Sequence, residues 1–346
     1  LHCQCRRQRQ MCIRDRNPRV DLLRGWLILL VIVGHIVLGS VHEQFVRYAI
    51  YAFHMPLFIG LTGYLLNPDK LANSSLFSVG VRYWWRVGLP FLIAFAFFTG
   101  ILFLHAQQEM RFNSDMVLGY LVTPYYHLWF VPTLILWVLG FWLLLKLRFP
   151  LVLALLGSLA VTAVWSMFAS VALPDLVALL VSKKVVYFFS FFLLGAWLRT
   201  DTGSRWLRAM TMINVLPPAV ILISAAIYLM HIGPEKSVLK GVAWLTMNCV
   251  LILISVKWIQ ARVPVKANKT TQHGLINHTL VAMGRVSLPI YLWHVVPMFL
   301  LKGWDIHQTQ TWLYYAVSVF GVSLIVAILL KMEGKNRLTD KLVYGN

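Results

Sequence analysis

The sequence predicts an all-α protein: a polytopic membrane helix bundle of about ten transmembrane helices with both termini in the cytoplasm. Three observations predict it. Hydrophobic residues make up 59% of the 346 residues and charged ones only 12%, about half the charged share of an ordinary soluble domain. Apolar runs of about 20 residues, enough to cross the hydrocarbon layer as helices, recur along the chain. Finally, all but seven of the 31 Lys and Arg fall on the side of the apolar runs that the N-terminus occupies, which orients both ends inward.

Taken in order, the first 16 residues, LHCQCRRQRQMCIRDR, are polar and basic and lack the apolar centre of a signal peptide. They read as a tail, either disordered or a translated sequencing adaptor, ahead of one membrane domain over 17–346. The candidate spans run over 20–41, 46–66, 87–105, 127–147, 150–173, 177–198, 212–232, 238–258, 280–301 and 311–331. Between the second and third, SSLFSVGVRYWWR ends in Trp84, Trp85 and two arginines four residues apart, and reads as an interfacial helix on the cytoplasmic surface. Short gaps around Phe149 and Pro174 make spans four to six an antiparallel run. The longest polar gap, 259–279, is too short to bury a core of its own.

The net charge of +19 sits between apolar runs and sets orientation, so nucleic acid is not an expected partner; membrane lipids are. The seven basic residues on the outer side are Arg47, Arg111, Lys183, Lys184, Lys236, Lys240 and Lys302. Cys3, Cys5, Cys12 and Cys249 show no disulfide or zinc spacing, and no metal is expected.

The stretch DLLRGWLILLVIVGH, residues 21–35, carries the first chemistry. Eleven residues separate Arg24 from His35, three turns plus about 20°, so the two share a face about 16 Å apart in height. Asp21, one turn before Arg24, is placed to hold its guanidinium. The bland alternative is an orienting arginine and a histidine bonded to a neighbouring helix. A second polar stripe lies in GRVSLPIYLWH, where Ser287, Tyr291 and His294 are spaced four and three apart and face one way on a helix. With Arg285 at the inner end, His294 sits about 13 Å above it; interhelical hydrogen bonding is the alternative. His54, in the second span, reads as a structural partner. None of the twelve acids is centred in a span, so histidine is the best intramembrane acid–base candidate. On the outer side Tyr125, Tyr126, Trp129, Glu109 and Asp115 suit stacking on and hydrogen bonding to a sugar, with an interfacial aromatic belt as the alternative.

The order of DLLRGWLILLVIVGH, FHMPLFIGLTGYLL, RYWWR, YYHLWFVPTLI and GRVSLPIYLWH over nearly the whole chain resembles the membrane acyltransferase 3 family, bacterial proteins that acylate sugars of surface and periplasmic glycans. Thr62 stands where the family usually has Ser, and its arginine pair is often spaced closer than Arg82 and Arg86. The resemblance implies an inner-membrane O-acyltransferase. It would move an acyl group, acetyl or succinyl, from cytoplasmic acyl-coenzyme A to a hydroxyl of a sugar in an exported or surface glycan. It assigns donor phosphates to Arg24, Arg82 and Arg86, supported by Asp21. The base is His35, and His294, Tyr291 and Ser287 orient the acceptor or bind the oxyanion. Tyr126, His127, Trp129 and Glu109 are then the acceptor's binding residues. A transporter or flippase for a glycan or lipid-linked saccharide is the alternative, and a structural membrane subunit a third reading.

Overall fold

A computed structural model of the protein describes residues 17–105, 127–168, 183–210, 216–233, 235–261, 272–303 and 306–345. Among these every regular element is helical. The first, α1 (Pro18–Ile36), starts where the extended Asn17 accepts the Arg19 N–H on its side chain at 3.0 Å, with proline following at the first helical position. Then come α2 (Phe45–Tyr64), the short α3 (Pro68–Ala72), α4 (Leu76–Tyr83), a π-helical turn (Trp84–Gly88) and α5 (Leu89–His105). The middle of the chain forms α6 (Phe130–Lys146), α7 (Leu151–Met167), α8 (Lys183–Arg199), α9 (Asp201–Ala209), α10 (Leu216–Met230) and α11 (Val238–Gln260). The last stretch holds α12 (Gln272–Arg285), α13 (Ser287–Trp293), α14 (Val296–Gly303), α15 (Ile306–Thr309), α16 (Thr311–Met332), α17 (Arg337–Thr339) and a closing π turn (Asp340–Tyr344).

A described helix overlaps each of the ten expected spans, and 169–173, 177–182 and 212–215 of those spans lie outside the described residues. Of the described residues, four helices are long and apolar enough to cross a membrane, five when one bent pair is counted as a span; α6, α7 and part of α10 are apolar but shorter. Large apolar side chains such as Leu222 and Phe320, each 70% exposed, cover the outside, while Asn248, Ser190, Thr162 and His294 are fully buried. Apolar groups facing out and polar groups facing in is the distribution a lipid solvent imposes.

Two expectations are corrected. The segment expected as a separate interfacial helix continues through the π turn into α5 as one run, Leu76–Ile101. Arg82 thus lies in the first part of a long helix and Arg86 inside its π turn, rather than both on a regular surface helix. The ninth span, expected to be continuous, is broken: Gly274–Arg285 and Ser287–Lys302 meet at 77°. Pro289 supplies a reason. Its ring nitrogen has no hydrogen to give the Arg285 carbonyl four residues back, so it is tolerated only in the first turn of a new helix. The straight-helix rise from Arg285 to His294 therefore does not apply.

Close approaches set the frame around these helices. A Cβ on Gly195 of α8 would collide with the Gly60 carbonyl of α2, and one on Gly284 of α12 with the Asp21 carbonyl of α1. Glycine alone lets each pair of backbones touch, the small-residue packing typical of membrane bundles. Polar side chains then bridge helices. Pro56, inside α2, leaves the Ala52 carbonyl without a helical donor, and Asn248 of α11 donates its amide to that oxygen at 3.0 Å. Thr162 of α7 meets Ser190 of α8 at 2.7 Å. Arg19 ties the start of α1 to the end of α11 through the carbonyls of Trp258 and Ala261.

Gly284→Ala should overpack the α1–α12 contact and cost about 1–3 kcal/mol, read as a lower melting temperature in detergent. Gly157, with nothing within 4 Å of a Cβ, is the control: its Ala variant should melt no lower than the parent. A Gly284→Ala protein that melts like the parent contradicts this packing.

Candidate active site

α1 delivers His35 in its last turn, and three other elements bring imidazoles to it. The ring of His294, at the end of α13, lies 5.2 Å from that of His35 between centroids, and that of His127, just before α6, lies 6.0 Å away. His127 and His294 are 5.3 Å apart. Tyr51 of α2 bridges from this triangle to a fourth histidine, with its ring 6.3 Å from His35 and 4.9 Å from His54. His35, His54 and His127 line one cavity of about 360 Å³, within the range of small-molecule sites, and the fully buried His294 packs behind them. Tyr291 and Trp129 line it as well, and none of its described lining residues is a carboxylate.

Two of the rings are pinned. His294 Nδ1 lies 3.0 Å from the Ile290 carbonyl and 2.9 Å from that of Tyr291. Carbonyls only accept, so Nδ1 carries the hydrogen. His294 Nε2 is buried without a hydrogen-bond partner and, in the neutral ring, presents a bare lone pair. His127 is held the other way round: Nε2 donates to the Leu292 carbonyl at 3.2 Å, and Nδ1 is buried without a partner. His54 Nδ1 donates to Ile50 at 2.7 Å. By contrast, His35 is only half-buried and shares ring contacts, but no hydrogen bond, with the described residues. It is the ring of the triangle left to meet a reactant.

The profile of the acyltransferase 3 family, described as an acyltransferase domain, matches residues 17–332, and so takes in α1 through α16 and every histidine of the cluster. The chain belongs to this family. The matched residues are those of the family's acyltransferase domain. Among curated proteins the chain is similar to the nodulation protein NolL of Sinorhizobium fredii (strain NBRC 101917 / NGR234), 35% identical over 75 residues. NolL of Mesorhizobium japonicum (strain LMG 29417 / CECT 9101 / MAFF 303099) is also 35% identical over 75 residues. In both cases the match covers 20% of this chain and 20% of the relative, so the chain spans about a fifth of the length of these proteins. No solved structure matches.

With the family known, the sequence candidates sort by position. His35, Tyr291, His127 and Trp129 are brought together at the cavity, and His294 is buried against the rings of His35, His127 and Tyr291 without lining it. Ser287 is fully buried and its hydroxyl has no partner, but it does not line the cavity. Asp21 and Arg24 lie near the opposite end of α1; Asp21 is buried where Gly284 admits its backbone, and Arg24 is half-buried. Arg82 reaches the Ser74 hydroxyl at 3.5 Å, and Arg86 is exposed. Tyr126 and Glu109 lie outside the described residues. His54, read as a structural partner, lines the cavity, as do Arg47, Tyr51, Lys184 and Lys302, which the sequence reading gave no part in chemistry. Their one signal was that Arg47, Lys184 and Lys302 belong to the small set of basic residues expected on the outer side. Among the described residues no three His, Cys, Asp or Glu side chains are set to hold a metal ion.

The pinned tautomers are measurable. Nitrogen-15 spectra of histidine-labelled protein should assign a protonated Nδ1 to His294 and a protonated Nε2 to His127, with the signals identified by His294→Gln and His127→Gln. The reverse assignment for either ring contradicts the hydrogen bonds described above.

Proposed function

We propose that the protein moves an acyl group, acetyl or succinyl, from cytoplasmic acyl-coenzyme A to a sugar hydroxyl of an exported or surface glycan, across about ten spans of a bacterial inner membrane with both termini inside. The observation that carries this reading is the cavity in which an unpinned His35 faces two pinned imidazoles. On this reading neutral His35 takes the proton of the acceptor hydroxyl as its oxygen attacks the thioester carbonyl. The carbon–sulfur bond then breaks, and the imidazolium returns that proton to the leaving thiolate. The bare Nε2 of His294, on the ring nearest His35 in the triangle, would accept the N–H of His35 as the imidazolium forms, which makes His294 a positioning residue. Tyr291 and Ser287 serve the oxyanion or the acceptor, and Trp129, His127, Tyr126 and Glu109 bind the sugar.

The donor enters from the other end of α1. Its phosphates suit planar, permanently charged guanidinium groups, here Arg24, Arg82 and Arg86 with Asp21 beside Arg24. The rise of about 16 Å from Arg24 to His35 is on the scale of the pantetheine arm, so that α1 would run along the donor.

Purified protein given radiolabelled acetyl- or succinyl-coenzyme A and a glycan extract should transfer label to the glycan. Arg82→Gln with Arg86→Gln should weaken coenzyme A binding about tenfold or more, the loss of at least one charge-assisted contact, with expression retained. Absence of label transfer, or unchanged coenzyme A binding in a calorimetric titration, contradicts the enzyme reading or the donor site respectively.

A further inference from the structure

Orientation in a membrane needs basic residues inside and few outside. Only seven Lys and Arg are expected on the outer side, and three of them, Arg47 of α2, Lys184 of α8 and Lys302 of α14, line the same cavity as the histidine cluster. They come from helices far apart in sequence, so their convergence is a property of the fold. Two of the remaining four are engaged elsewhere: Lys236 donates to the Trp165 carbonyl and Lys240 to that of Gly233.

Arg47 and Lys184 each rest against an aromatic ring. Arg47 donates one Nη to the Gly39 carbonyl and lies 5.6 Å from the Tyr51 ring centre, while its Nε is buried with no hydrogen-bond partner. Lys184 lies 4.6 Å from the centre of the Trp129 ring. No described residue lining the cavity is an acid. Arg47 and Lys302 bring like charges to one partly enclosed space, and an anion entering it is attracted by both. The Nε–H of Arg47 is a donor still to be matched.

We infer that the outer part of this cavity binds an anionic group of the substrate, a carboxylate or phosphate, and so selects a charged partner for acyl transfer. The inference rests on the acyl-transfer reading of the cavity and names the class of substrate it takes. The anion has two possible sources: the far carboxylate of a dicarboxylic acyl group, or an acidic unit of the acceptor glycan. Arg47 and Lys302 are specificity residues in either case, because they meet the charge and not the reacting hydroxyl.

The test is calorimetric titration of the full chain in detergent. The probes are succinyl- against acetyl-coenzyme A, a glucuronate-containing oligosaccharide against its carboxyl-reduced form, and a glycerol phosphate oligomer against glycerol. The charged member of at least one pair should bind about tenfold more tightly, the scale of one charge-assisted hydrogen bond. That gap should collapse in Arg47→Gln with Lys302→Met, and narrow in Lys184→Gln, whose exposed position keeps folding safe. A gap confined to the coenzyme A pair assigns the anion to the acyl group; a gap in either of the other pairs assigns it to the acceptor. Equal binding within every pair, or a gap that survives the substitutions in protein that melts like the parent, overturns the inference. These titrations require no turnover, so failure of acyl transfer itself is read separately, as absence of labelled product from the parent protein.

Discussion

A histidine inside a lipid-embedded bundle has two ring nitrogens and no water to satisfy them, and the cavity is organised by how that demand is met. The interruption between α13 and α14 provides the means. α13 is only seven residues long, and a helix end leaves its last carbonyls without N–H partners. Those of Tyr291 and Leu292 are taken by imidazoles, Tyr291 by His294 and Leu292 by His127. One short helix thus fixes two rings and their tautomers, and the nitrogens left over are lone-pair acceptors beside His35. An unbroken helix would have used those carbonyls internally.

The surrounding contacts serve the same end. Gly284 brings α12 onto the backbone of Asp21, and Gly195 brings α8 onto α2 at Gly60. The first contact holds α1, which carries His35, against the element that leads into α13. The second holds α2, which carries Arg47, Tyr51 and His54, against the helix that carries Lys184. Asn248 caps the carbonyl that Pro56 leaves open in α2, so the helix passes the proline without an unsatisfied group in the apolar interior. Tight backbone packing toward one end of α1 and α2 and a polar cavity toward the other are parts of one arrangement.

Much of this was legible in the sequence, and the limits have physical causes. α1 and its Arg24–His35 stripe could be read because a regular helix converts spacing into geometry. The same arithmetic failed at Arg285–His294, where Pro289 sits in a run whose hydropathy looks unbroken. The partnership of His35 with His127 and His294 joins α1, the segment before α6 and α13, and hydropathy carries no information on which helices pack together. His54 was read as structural because its depth in α2 was visible but its neighbours were not. Arg47, Lys184 and Lys302 counted toward orientation, and only the folded bundle places them around one cavity. The π turn at Trp84–Gly88 left no mark in a segment whose aromatic and basic residues resembled a surface helix.

The account turns on His35 as the group that exchanges a proton with the acceptor, and replacing its imidazole with an amide of similar reach measures this most directly. His35→Gln keeps a hydrogen-bonding side chain in the cavity and removes the ability to shuttle a proton. Under saturating donor and acceptor, turnover should fall by about 10²–10⁴-fold, the usual share of general acid–base catalysis, with coenzyme A affinity and melting temperature unchanged. Near-parental turnover in that variant would contradict the account and make His294 the leading candidate for the base.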